Sequence, residues 1–317
     1  MLSTHLVVLL LLFILMLLVW IYWDWVQRIY ILYPERETYS ISELGVEERK
    51  FEGIYFLYLQ PISTRKIILY CHGTTGNVTT RSEVIKICKC FGLGLVIFDY
   101  MGYGRSDGQA SLNQLLTDGA KMYRYLIDNE KIDPKNIVVW GESLGGAVAS
   151  YVASNYQCSS LVICSSFSSL DTLARLMSKG STGEPFIKPL THVLPYLVNT
   201  MPSSYWISKV KCPVVIVHSI DDNIIPAKEA TVLFDSIPHQ DKLMLWVTGT
   251  HDKLIMNHEI LCDLLNFIGF DSRKVDVCIH HFLGHIDSQP DTLDVLQDNL
   301  INNFQFKLDL KAEVPEL

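Results

Sequence analysis

The sequence predicts an α/β protein with a mostly parallel central sheet flanked by helices, preceded by one N-terminal transmembrane helix. Three observations carry this expectation. Short β-rich runs alternate with longer segments of helical spacing over most of the chain. Those runs are apolar throughout, as strands covered on both faces are. An uncharged stretch of membrane-crossing length stands ahead of them.

The stretch is Leu6 to Trp23, eighteen residues without a charge, about 27 Å of helix at 1.5 Å per residue. A cleaved signal peptide wants a basic start and a small-residue exit, whereas this segment runs into Asp24-Trp25-Val26. Trp20, Tyr22, Trp23 and Trp25 crowd its end, where amphipathic rings settle at the headgroup level. Residues 1–23 are therefore expected to be a single-pass membrane anchor, with the bilayer as a partner. No Lys or Arg precedes the anchor while Arg28 and Arg36 follow it, a small bias toward a cytosolic domain. Asn77-Val78-Thr79 is a glycosylation acceptor that matters only on the other side.

Residues 24–50 mix aromatics with charges and have no clear period, which reads as a juxtamembrane connection. A folded domain is expected over 51–270. Its strands are read at Ile54 to Leu59, Lys66 to Tyr70, Gly94 to Phe98, Asn136 to Trp140, Ser160 to Cys164, Pro213 to His218 and Leu243 to Val247. Amphipathic helices are read at Ser111 to Asp128 and Ser143 to Asn155, and a closing helix at Glu259 to Phe267. Residues 170–210 break the rhythm with Pro185, Pro189, Pro195 and Pro202, the mark of a small lid insertion, and 271–317 form a C-terminal extension.

Apolar residues make up 49% and charged residues 19%, which excludes a disordered chain. The net charge is −8 and no basic block offers phosphates a footprint, so nucleic acid is excluded as a partner. Eight scattered cysteines read as buried thiols rather than a disulfide scaffold, and Cys88-Lys89-Cys90 has no second pair at zinc spacing. His281 and His285 stand i, i+4 without a partnering Glu, and His258-Glu259 only half matches a zincin motif. No metal and no cofactor are expected.

Gly141-Glu142-Ser143-Leu144-Gly145 directly follows an apolar strand and opens a helix, the context of a nucleophile elbow. The glycines allow a sharp turn and close strand–helix packing around Ser143. A serine hydroxyl is a weak nucleophile at neutral pH, so a base must reach it and an acid must orient that base. His218 to Pro226 leaves the next-to-last strand with Asp222 as the chosen acid and Asp221 as its neighbour rival. Thr248-Gly249-Thr250-His251 leaves the last long strand, and His251 completes the order Ser, Asp, His; His72 and His218 come too early. The oxyanion donors are expected to be the N–H of Leu144 and that of Thr74, in the loop Cys71-His72-Gly73-Thr74-Thr75-Gly76-Asn77. The loop Gly102-Tyr103-Gly104 lacks dinucleotide spacing.

CHGTTGN, FDYMGYGRSDG, GESLGG, HSIDDNIIP and GTHD, in that order between Phe51 and Phe270, resemble the α/β-hydrolase family, specifically its membrane-anchored, serine aminopeptidase-like abhydrolase-domain members. The resemblance implies Ser143 as nucleophile, Asp222 as orienting acid, His251 as base, and Thr74 with Leu144 as oxyanion donors. Ser219 stands where many relatives have Gly, Thr74-Thr75 replaces Asn-Ala, and Asp252 stands where Asn is frequent. The short lid resembles the branch that hydrolyses acyl esters or thioesters of lipids and lipidated proteins. The expected function is therefore a membrane-anchored serine hydrolase acting on acylated small molecules or lipidated proteins. The rivals are a serine peptidase cleaving peptide amides and a catalytically silent hydrolase-fold binding protein.

Overall fold

The computed structural model of the chain describes residues 4–62, 66–172, 201–251 and 253–270. Residues 173–200 of the expected lid (170–210) and the C-terminal extension, 271–317 with His281 and His285, lie outside the described residues.

The apolar runs form strands because β-branched and aromatic side chains are buried on both faces. The strands are β1 (Glu47–Phe51), β2 (Ile54–Leu59), β3 (Ile67–Cys71), β4 (Gly94–Phe98), β5 (Ile137–Glu142), β6 (Ser160–Cys164), β7 (Val214–Ser219), β8 (Lys242–Thr250) and β9 (Lys253–Ile255). They hydrogen-bond in the order β1-β2-β4-β3-β5-β6-β7-β8-β9. The pairs from β4 through β8 are parallel, while β1–β2, β2–β4 and β8–β9 are antiparallel. Period-2 alternation divides the core. Ile67, Leu69 and Cys71 face one apolar layer, and Ile68 and Tyr70 face the other.

The first helix is α1 (Thr4–Tyr30), and the layers are covered by the helices that follow: α2 (Ser82–Phe91), α3 (Leu112–Asp128), α4 (Leu144–Asn155), α5 (Ser203–Ile207), α6 (Lys228–Asp235) and α7 (His258–Phe267). Ser111 caps α3 by accepting from Gln114 N–H at 3.1 Å, and Asn257 caps α7 by accepting from Ile260 N–H at 2.9 Å. Gly92 ends α2 in the left-handed region, at φ 63°.

Two features depart from the expected organisation. Strand β1 lies across the expected boundary at residue 51. Its sequence, Glu47-Glu48-Arg49-Lys50-Phe51, hides the strand period under the charges that suit a sheet edge. Residues 31–39 are no slack connection but a strap across the domain. Leu32 is fully buried, Arg36 donates to the carbonyls of Ser106 (2.7 Å) and Gly108 (3.0 Å), and Gly104 N–H donates to Glu35 O.

At the N-terminus, α1 runs over 27 residues and every side chain from Leu6 to Leu18 is exposed. Among the described residues no helix is long and apolar enough to cross a membrane.

The sheet positions the site. β3 has β4 on one side and β5 on the other, so the strand order reverses there, and in open α/β sheets such a switch point is where the loops at the carboxyl ends of the strands diverge. Cys71 at the end of β3 pairs with Gly141, which sets the loop after β3 beside the turn after β5.

Candidate active site

Ser143 occupies that turn, between β5 and α4, at φ 51° and ψ −120°. A non-glycine residue reaches this region only under constraint. The constraint is visible. Ser143 N–H donates to Cys164 O at 2.9 Å, and Ser166 Oγ donates to Ser143 O at 2.8 Å. A Cβ on Gly145 would stand 2.0 Å from Cys71 O, so only glycine lets the helix start this close to β3.

The loops after β7 and β8 supply the partners. His251 Nε2 lies 3.0 Å from Ser143 Oγ, and His251 Nδ1 lies 2.8 Å from Asp222 Oδ2. The structure thus brings Asp222 to the histidine, while Asp221 is exposed to solvent. The other carboxylate oxygen, Oδ1 of Asp222, accepts from the amides of Ile224 (2.9 Å) and Ile225 (2.7 Å). Burial works to raise the pKa of Asp222, but the hydrogen bond and charge of His251, with those two amides, hold it below the ordinary value. It stays an anion facing the imidazole.

Asn223 holds the histidine loop by accepting His251 N–H at 3.2 Å, a contact that sequence reasoning missed. Ser219, where glycine was expected by resemblance, has a role: its hydroxyl donates to Gly249 O and accepts Asp221 N–H at 3.1 Å, tying the acid loop to the histidine loop. His218 is buried and its Nε2–H donates to Ile225 O at 2.9 Å; burial lowers its pKa, so it remains a neutral brace.

Leu144 opens α4, so its N–H has no acceptor within the helix and heads the positive end of the helix dipole. Thr74 lies in the loop after β3, whose Gly73 packs against the elbow: a Cβ there would be 3.5 Å from Ser143 Cβ. Tyr103 Oη donates to Thr74 O at 3.0 Å, and the Thr74 hydroxyl donates to Ile31 O in the strap. His72 is fully buried between Tyr100 and Tyr103, with Nδ1–H on Gly73 O at 2.7 Å. Burial first, then the nearby Arg81 charge, lower its pKa to about 3. It shapes the loop as a neutral ring.

The loop carrying Gly102 and Gly104 packs its backbone closely against Asp99. A Cβ on Gly104 would stand 2.0 Å from Asp99 Oδ2, and Asp99 in turn accepts from Val78 N–H at 2.8 Å.

Chemically, a hydroxyl, an imidazole and a buried carboxylate in one hydrogen-bonded line can pass a proton from the serine to the ring as the oxygen attacks an electrophile. Comparison with known proteins bears on the fold that carries this arrangement. The serine aminopeptidase family matches residues 62–204. An uncharacterized protein of Acanthamoeba polyphaga mimivirus is 29% identical over 244 residues, 68% of this chain and 82% of its own length. Alpha/beta hydrolase domain-containing protein 17C of Xenopus laevis is 26% identical over 257 residues, 78% of this chain and 74% of its own. Among solved structures, a Pyrococcus furiosus esterase superposes with a TM-score of 0.56 at 20% identity, covering 70% of this chain and 90% of that one. The chain has the α/β-hydrolase fold, and its motif order and relatives are similar to those of the α/β-hydrolase family.

Proposed function

We propose that the protein is a membrane-anchored serine hydrolase that cleaves acyl ester or thioester bonds of lipid or lipidated substrates. The observation that carries the reading is the position of His251, 3.0 Å from Ser143 Oγ and 2.8 Å from Asp222 Oδ2. Ser143 attacks the acyl carbonyl as His251 takes its proton, with Asp222 holding the ring so that Nε2 is the free base. The N–H groups of Thr74 and Leu144 stabilise the tetrahedral oxygen, a contribution of about 3 kcal/mol per donor in enzymes of this kind. His251 then returns the proton to the leaving group, and water repeats the sequence to release the acid.

Membrane residence is supported by the uncharged run Leu6 to Trp23 in the sequence and by the exposure of the side chains from Leu6 to Leu18 on α1. The strap follows α1 without a break and reaches the loop beside Ser143, so an anchored chain holds its site within a short distance of the bilayer. An amphiphilic acyl substrate taken from the membrane surface suits that placement. Charge distribution around α1 favours a cytosolic domain.

The test is labelling of the full chain by a fluorophosphonate probe, expected for wild type and lost in Ser143→Ala. A panel of acyl esters, acyl thioesters and aminoacyl amides then separates the chemistries. Turnover of esters or thioesters in vesicles is the expected result. Turnover of amides alone would replace this reading with a peptidase, and the absence of labelling would replace it with a binding protein.

A further inference from the structure

The residue between the first glycine and the nucleophile is a buried acid, and the proposed mechanism leaves it without a task. Glu142 and Arg81 are both 2% exposed in their side chains, and Arg81 Nε lies 3.9 Å from Glu142 Oε2. Tyr70 Oη donates to the same oxygen at 2.6 Å. The other end of the guanidinium faces away from the elbow. Its Nη2 donates to Thr75 O at 2.8 Å, and its Nη1 donates to Thr80 Oγ1 at 2.7 Å. The loop is wrapped tightly over the arginine: at Gly76, φ 69°, a Cβ would stand 2.5 Å from Thr80 Oγ1 and 3.1 Å from Arg81 Nη1.

Burying two charges is costly, and a well-packed apolar pair is often at least as stable, so stability alone is a weak reason for this pair. Its placement supplies another. Thr75 adjoins Thr74, and Glu142 is two residues ahead of Leu144, so the planar guanidinium spans the two segments that present the oxyanion donors. We propose that Arg81, braced by Glu142, is a positioning residue that fixes the spacing of the Thr74 and Leu144 amides in the tetrahedral transition state. This rests on the hydrolase reading above. The arginine touches neither substrate nor nucleophile; it acts through the backbone of Thr75. A lysine retains the charge but not a fork that reaches two acceptors and an acid together.

The test uses the full chain with active sites titrated by a fluorophosphonate probe, so that unfolded protein is not counted. In Arg81→Met the expected result is a fall in kcat per titrated site of about 10- to 100-fold, the size that a displacement of roughly 1 Å produces. KM should stay within about threefold, since the donors act on the transition state. Inhibition by a trifluoromethyl ketone, whose tetrahedral adduct carries the oxyanion, should weaken by the same factor. The double variant Arg81→Met with Glu142→Gln removes the uncompensated buried charge and should recover Tm without recovering kcat, and Arg81→Lys should recover kcat only in part.

If the double variant regains wild-type kcat per site along with its Tm, the arginine is only a structural brace and the proposal is overturned while the hydrolase reading stands. If wild type itself is neither labelled nor active on the panel, the hydrolase reading fails and the proposal fails with it.

Discussion

Replacing Asp222 by asparagine changes one atom and reverses a proton. In the native site Oδ1 accepts the amides of Ile224 and Ile225, and Oδ2 accepts Nδ1–H of His251 at 2.8 Å. The asparagine oxygen must stay on the two amides, because turning it would aim its NH2 at two N–H donors. The NH2 then faces His251 Nδ1, which has to become an acceptor, and the ring proton moves to Nε2, 3.0 Å from Ser143 Oγ. That nitrogen can no longer take the serine proton. A tautomer error of this kind costs about 10⁴-fold in kcat, or about 5.5 kcal/mol of barrier. The assay is hydrolysis of a chromogenic acyl ester, with Asp221→Asn as the control. Asp221 is exposed, so its substitution should change kcat by less than about twofold. Asp222→Asn within tenfold of wild type, or Asp221→Asn with the larger loss, would refute the assignment of the orienting acid.

Three further outcomes are expected. Ser143→Gly should be more stable to urea than Ser143→Ala by about 1 kcal/mol, because both lack the hydroxyl and only the alanine keeps the strain of φ 51°; equal stability would mean that the turn stores none. Gly145→Ala should lose about 3 kcal/mol or more, read by thermal unfolding, since its Cβ would meet the backbone oxygens of Cys71 (2.0 Å) and His72 (2.5 Å), neither of which can swing aside. His72 has a folded pKa of about 3 against an unfolded value near 6.5. Between those values only the unfolded chain binds the proton, so relative to His72→Gln wild type should lose about 1.4 kcal/mol per pH unit as pH falls from 6.5 toward 3. A pH-independent difference between the two proteins would show that the ring is not held neutral.

The chemistry that sequence reading reached is the part written in short segments. Ser143 is legible because a turn this sharp needs glycine at 141 and 145, and both needs show within five residues. Asp222 and His251 are legible because each sits one loop beyond an apolar run, and strand ends are easy to count. The rival Asp221 could not be dismissed that way. Which of two adjacent acids turns inward depends on the amides of Ile224 and Ile225, which only folding brings to Asp222 Oδ1. Strand β1 escaped for a different reason. Its charges are satisfied by partners outside the strand, with Arg49 paired to Glu130 just after α3 at 2.8 Å and stacked over Tyr58 of β2, so no apolar period is left for a reader to find.

The same distinction moves the start of the working unit. Apolar patterning begins at Phe51, yet the loop bearing Thr74 is held by residues well before it: the Thr74 hydroxyl by Ile31 O, the Asn77 amide by Glu37 O at 2.5 Å, and Thr79 Oγ1 by Tyr39 N–H at 3.0 Å. Those contacts join positions about 40 apart and use backbone atoms on the strap side, so no choice of side chain between 31 and 39 announces them, apart from the buried Leu32. A chain cut at 51 would also remove β1 and leave one edge of β2 without its partner. Arg81 secures the loop from the interior and the strap secures it from outside. The geometry of the proposed oxyanion donors is therefore shared between the apolar core and the segment leading from α1, whose contacts with the loop reach back to Ile31.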